Sequence, residues 1–238
     1  MKSPKVTKNG TSRVSAAATG HGRWYNDACG TAFGLEVIGE RWALLVVREL
    51  MLGARRFSDL RVALPGISAK VLTERLAALE ASGVVVRRML PPPGKAQVYA
   101  LTPWGLAAEP LIQEFGRWAA QSTAHDPRLP LSAVSLMLSM RTMLDREACA
   151  AFMGRIGFVI DEESFVAEPQ GRELPIRRGD PDGADAVFHA PSADVIAAGV
   201  YAGVPWEELE AGAGLAITGD RARALAFVAM FSLPPPLA

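Results

Sequence analysis

Residues 55–102 read RRFSDLRVALPGISAKVLTERLAALEASGVVVRRMLPPPGKAQVYALT. Leu60 and Leu64 are four apart, so they share one face of a helix predicted over 57–64. Pro65 cannot continue that helix, and Gly66 permits a backbone that other residues resist. Ser68 is placed to cap a second helix, over 68–82, by accepting from a first-turn N–H. Within it Leu72, Leu76 and Leu79 form a stripe that must face a core. Ala69, Lys70, Thr73 and Glu74 take the opposite face. Gly83 ends the helix and Val84-Val85-Val86 starts a β-branched strand. Arg87 and Arg88 follow, then the turn Pro91-Pro92-Pro93-Gly94, then a return strand carrying Lys95 and Gln97 and ending Val98-Tyr99-Ala100-Leu101-Thr102. Helix, tight turn, helix and hairpin in this order make a winged helix-turn-helix. Such a unit offers its second helix to the major groove of duplex DNA and its hairpin to the phosphates.

The expected contacts follow from position. Arg55 and Arg56 precede the first helix and are expected on phosphates. Lys70, Thr73 and Glu74 are expected at or near base edges, with Ser68 beside them among the DNA-binding residues. Arg75 adjoins the core-facing Leu76, and either joins them or pairs with Glu80 or Asp59. Arg87, Arg88 and Lys95 are expected on flanking backbone or in the minor groove.

Charge divides the chain. Over 238 residues the formal net charge is zero, a poor match to a polyanion. Yet residues 1–125 hold 16 Lys/Arg against 9 Asp/Glu, and residues 126–238 hold 9 Arg, no Lys and 16 Asp/Glu. A basic first half suits phosphate, while an acidic second half is repelled by it, so two domains with different partners are expected. The proposed divisions are a disordered basic tail over 1–23, a DNA-binding domain over 24–122, a linker over 123–130 and a second domain over 131–238. The tail has no apolar run and does not read as a signal peptide. No stretch approaches the length of a membrane span. Cys29 and Cys149 do not make a disulfide framework, which points to a reducing cytoplasm.

Outside the opening stretch, Asp27 is expected to cap a helix ending at Ile38, and a second helix is expected over 41–52. Pro103 starts another, with a kink or break at Pro110 and an apolar face of Leu106, Leu111, Phe115 and Trp118. In the second half an apolar helix is expected over 131–153, broken near Asp145. Strands are expected over 157–160, 164–167, 174–177 and 186–189. Helices over 192–202 and 206–210, a strand over 215–218 and a last helix capped by Asp220 complete an α+β class.

The first half resembles the HxlR family of bacterial transcription regulators. The resemblance rests on Ile38-Gly39-Glu40-Arg41-Trp42, Arg48-Glu49-Leu50, Arg56-Phe57-Ser58-Asp59-Leu60, Pro65-Gly66-Ile67-Ser68, Leu72-Thr73-Glu74-Arg75-Leu76, Leu79-Glu80, Gly83 and Tyr99-Ala100-Leu101-Thr102. It spans about residues 27 to 120. It implies a homodimeric winged-helix DNA binder, related to MarR-type regulators and associated with the nucleoid, whose first and last helices pair across a two-fold axis. Cys29 stands thirteen residues before Trp42, where that family has its N-terminal cysteine. Gly30 stands where proline normally follows it, and Glu40 where a second glycine is common. Cys29 therefore has two readings: a redox or electrophile sensor activated at a helix start, or a small residue packed near the dimer helices.

The segment 184–231, with Gly214-Leu215-Ala216-Ile217-Thr218-Gly219-Asp220, resembles the sterol-carrier-protein lipid-binding fold. That resemblance implies an apolar cavity for a hydrophobic small-molecule effector. Met137, Met140, Phe188, Trp206 and Phe231 are its candidate lining, though a spacing of three on a helix is equally a core stripe. The alternative use of this domain is oligomerisation or protein docking. No catalytic set is present: His21, His125 and His189 are scattered, and no nucleophile elbow, phosphate loop or dinucleotide fingerprint occurs. No cofactor or metal is expected, and the chain does not read as an enzyme.

Overall fold

A computed structural model describes residues 25–91 and 95–237. The expected basic tail over 1–23 and the wing tip at 92–94 lie outside the described residues.

The first half opens with α1 (Gly30–Ile38) and α2 (Ala43–Leu50). The helix-turn-helix follows as α3 (Phe57–Ala63) and α4 (Ala69–Ala81). Gly66 in its turn has φ +90°, the left-handed backbone expected there, and Gly83 after α4 has φ +79°. The wing is β1 (Val85–Met89) paired antiparallel with β2 (Gln97–Leu101), with Arg87 opposite Tyr99 and Arg88 opposite Val98. Pro103 is the first residue of α5 (Pro103–Leu106), and α6 (Glu109–Ala120) starts afresh with Pro110 in its first turn. The chain thus breaks just before Pro110, which lacks the N–H an interior helical position needs.

The second half has α7 (Ala133–Thr142) and α8 (Arg146–Ala151), separated at Asp145, whose carboxylate accepts from the N–H groups of Glu147 and Ala148. Then come β3 (Ile156–Ile160), β4 (Glu163–Ala167), β5 (Ile176–Arg178), β6 (Ala186–Ala190), α9 (Ala193–Tyr201), α10 (Trp206–Gly212), β7 (Ala216–Gly219) and α11 (Arg221–Val228). The strands form one sheet in the order β5-β4-β3-β6-β7, antiparallel except for the parallel β3–β6 pair. Phe158 and Phe188 are register partners across that pair, and their rings stack at 5.4 Å.

Buried apolar residues form one connected cluster from Val46 in α2 to Phe231 beyond α11. The halves are therefore packed on one another, chiefly where α7 meets α6 and α2. Among the described residues no helix is long and apolar enough to cross a membrane.

Candidate nucleic-acid interface

Leu72, Leu76 and Leu79 are sealed in the core, which fixes the rotation of α4 about its axis. The opposite face must then point outward. Ser68 caps the helix, its hydroxyl accepting from the Val71 N–H at 3.2 Å. Lys70 is 86% exposed and lies 4.0 Å from Glu74. The Thr73 hydroxyl donates to the Ala69 carbonyl at 2.9 Å and leaves its methyl and lone pairs outward. The structure thus gathers Ser68, Lys70, Thr73 and Glu74 on one exposed polar face at the start of α4.

Basic groups flank this face. Arg56 is exposed at the start of α3, where its backbone N–H donates to Asp59 at 3.2 Å. Arg61, on the outer side of α3, is also exposed, and nothing in the sequence reading singled it out. Its signal was available: it is off the Leu60–Leu64 face and shares a face with Ser58. On the wing, Arg88 and Lys95 are exposed and carry no ion pair among the described residues. Arg87 is partly engaged, 2.7 Å from Glu80 and with its guanidinium 5.6 Å from the Tyr99 ring centre.

Two expected contacts are elsewhere. Arg75 is tucked inward and pairs with Glu40, in the turn between α1 and α2, at 3.4 Å rather than with Glu80 or Asp59. Arg55 is buried. Its backbone pairs with Tyr99 of β2 through two hydrogen bonds, and its guanidinium donates to Glu163 of β4 at 2.6 and 3.3 Å. Neighbouring residues in extended backbone point to opposite sides, so Arg56 faces outward while Arg55 faces the second half.

Arg55 belongs to an ionic chain between the halves. Glu49 of α2 is wholly buried and accepts from Arg48 at 2.8 and 3.0 Å and from the Ser132 hydroxyl at 2.7 Å. Its other oxygen is 3.8 Å from Arg55. Glu163 also receives Arg178 at 2.5 Å, whose guanidinium lies over the Phe165 ring.

Cys29 is exposed at the start of α1. The Thr31 N–H and hydroxyl, with the Ala32 N–H, hold its thiol below the ordinary value. Burial pushes the Cys149 thiol up instead. A patch of exposed apolar side chains covers α1 and α5–α6: Phe33, Leu35, Trp104, Leu111, Phe115 and Trp118, with Phe33 and Trp104 stacked at 6.5 Å.

The candidate effector lining is closely packed. Met137, Met140, Phe188 and Phe231 are buried, and Trp206 is partly buried. The Phe188 and Trp206 rings meet at 5.6 Å, and Phe231 meets Phe227 at 5.1 Å. The Trp206 indole sits against Gly199 of α9, where a β-carbon would collide with its six-membered ring.

Comparison with known proteins places the first half. The chain is 39% identical over 87 residues to YvaP, an uncharacterized HTH-type transcriptional regulator of Bacillus subtilis (strain 168), covering 37% of this chain and 81% of that protein. It is 40% identical over 91 residues to the HTH-type transcriptional regulator YodB of the same organism, covering 38% of this chain and 80% of that one. The solved structure of reduced YodB from B. subtilis aligns with 34% identity and a TM-score of 0.38, over 42% of this chain and all of that one. Residues 37–127 match the HxlR-like helix-turn-helix family, and the chain belongs to that family of DNA-binding transcription regulators.

Proposed function

We propose that the chain is a sequence-specific regulator that grips DNA as a homodimer, with α4 of each protomer in a major groove. The observation that carries this is the exposed Ser68–Lys70–Thr73–Glu74 face. It is locked outward by the leucines behind it and flanked by Arg56, Arg61, Arg88 and Lys95. The apolar patch on α1 and α5–α6 is large enough in side chains to be the dimer seam, and water is a poor neighbour for two tryptophans and two phenylalanines. A two-fold dimer reads half-sites about 34 Å apart, one helical turn. Footprinting on fragmented genomic DNA should protect a pseudo-palindrome with that spacing. No preference for any duplex over an uncharged competitor at low salt would end this reading.

Residues 24–122 would then be the DNA-binding domain and 131–238 a companion domain, joined by 123–130, in a cytoplasmic protein. The likeness of 184–231 to the sterol-carrier-protein fold is supported by the five-stranded sheet with helices packed on it. A ligand among Met137, Met140, Phe188, Trp206 and Phe231 would have to part rings that now touch. That cost favours a companion domain whose core is structural.

A second reading has its own observation. Cys29 is exposed and its thiol is lowered by the open end of α1, so oxidants or electrophiles can reach a reactive sulfur beside the proposed seam. Iodoacetamide should then alkylate Cys29 in the folded protein and spare Cys149. Equal labelling of both would remove the reading.

A further inference from the structure

The wing carries its charges and its apolar side chains in a definite order. From the body of the module outward, β1 runs from buried Val85 through exposed Arg87 and Arg88 to exposed Met89, and Leu90 follows it. Met89 is 67% exposed and Leu90 39%. Side chains alternate across a strand, so Arg87 and Met89 share one face of the hairpin and Arg88 and Leu90 the other. On each face a cation stands nearer the module and an apolar side chain farther out. The outer part is held in register: Met89 is paired with Gln97, and the Leu90 N–H donates to the Ala96 carbonyl at 2.9 Å. Lys95, on the return, is exposed as well. A single exposed apolar residue needs no account. Two adjacent ones beyond a pair of cations do, because phosphate offers nothing to a methionine and a leucine.

The spacing fits a groove of DNA. Two residues along a strand advance about 6.6–6.8 Å. The minor groove of B-DNA is about 7.5 Å deep and about 6 Å wide. With Arg87 and Arg88 level with the phosphates at its rim, Met89 and Leu90 reach the base edges at its floor. Its width is too small for a two-stranded hairpin, whose strands lie about 4.8 Å apart and carry side chains on both faces. Entry therefore requires the groove to open. Apolar side chains inserted between base steps do this, unstacking them and kinking the duplex toward the major groove by about 20–90°. Methionine and leucine are among the residues that act in this way.

We propose that Met89 and Leu90 form an apolar wedge that enters the minor groove beside the segment read by α4 and bends the duplex there. This rests on the DNA-binding reading and adds a requirement on the partner. The wedge favours a pyrimidine–purine step, TA or CA/TG, since those unstack most readily. The chain then selects sequence at a position where it makes no hydrogen bond to a base, while Arg88 and Lys95 hold phosphates on either side of the kink. β1 packs on α4, and Arg87 meets Glu80 of that helix at 2.7 Å, so the wedge and the reading helix keep one spacing.

Duplexes recovered from a random-sequence pool by retention on the full chain test the wedge. Those held by the wild type should share a pyrimidine–purine step outside the centre. Those held by the double variant Met89→Ala with Leu90→Ala should keep the central sequence and lose that step. A recovered sequence is then built into a linear duplex of about 110 bp, shorter than the persistence length of about 150 bp. Ligase should close it into a ring about tenfold faster with the wild type bound, equivalent to about 1.4 kcal/mol of bending supplied by the protein. The double variant should bind with an unchanged salt slope, since it loses no charge, and should close rings at the rate of free duplex. Met89→Leu keeps an apolar side chain of similar size and should close them as the wild type does. Both positions are exposed, so the unfolding midpoint should stay in place in every variant. Ring closure that the wild type does not raise, or that the double variant raises equally, overturns the wedge and leaves the DNA-binding reading standing. A chain that retains no duplex overturns both.

Discussion

At the entry to α3 and on the wing, the first half carries two adjacent arginine pairs, Arg55–Arg56 and Arg87–Arg88. Within each pair one side chain is held by a carboxylate and the other is exposed. At the entry to α3 the held one is buried: Arg55 reaches across to Glu163 with two hydrogen bonds. On the wing the held one stays at the surface, where Arg87 meets Glu80 from the neighbouring helix. The difference lies in the partner's origin. Glu80 belongs to the same module as the wing, so its pair is a surface ion pair, worth little. Glu163 is 108 positions away on another sheet, and its pair joins the two halves. A basic residue beside a DNA-reading helix is thus no guide to phosphate contact until its carboxylates are known.

The strongest test of that contrast is Glu49, which anchors the same junction from α2. Glu49→Ala removes the acceptor for Arg48 and Ser132 and a second carboxylate beside Arg55, leaving the part-buried Arg48 guanidinium without its partner. It should destabilise the fold by about 3–5 kcal/mol. Urea unfolding at constant slope is the measurement. A loss below about 1 kcal/mol, the size of a surface pair, would mean the junction is no more than a surface contact.

Local chemistry made most of the elements readable. The Leu72–Leu76–Leu79 stripe, the Ser68 cap, the Gly66 and Gly83 backbones and the start of α5 at Pro103 are all decided within a few residues of themselves. So is the break at Asp145, whose carboxylate serves the two N–H groups just beyond it. The candidate groove-facing residues Lys70, Thr73 and Glu74 were readable for the same reason, since a buried stripe fixes the opposite face. What sequence left hidden depends on docking. Arg55 and Arg75 look like any other arginine until Glu163 and Glu40 are brought beside them. Arg141 pairs with Glu109, and Arg117 with the Thr142 carbonyl, only because α6 packs on α7. Emptiness is hidden as well. The methionine spacing on α7 marked burial but gave no sign of whether a cavity lies beside it.

The finer test exchanges the two arginines' expected effects. Arg55→Ala should cost roughly 1–3 kcal/mol of stability, less than Glu49→Ala because Arg178 still holds Glu163. It should leave the salt dependence of duplex binding unchanged, since the guanidinium faces the second half. Arg88→Ala should do the reverse. Its side chain has no protein partner among the described residues, so the unfolding midpoint should stay in place. Affinity should fall on all duplexes alike, and the slope of log affinity against log salt should lessen by about 0.9, the share of one phosphate contact. Arg87→Ala should change that slope less, because Glu80 already occupies part of its charge. A salt slope lowered by Arg55→Ala and untouched by Arg88→Ala would show that the second half swings away from the DNA-binding half when duplex is bound, freeing Arg55 to do what its place in the sequence first implied.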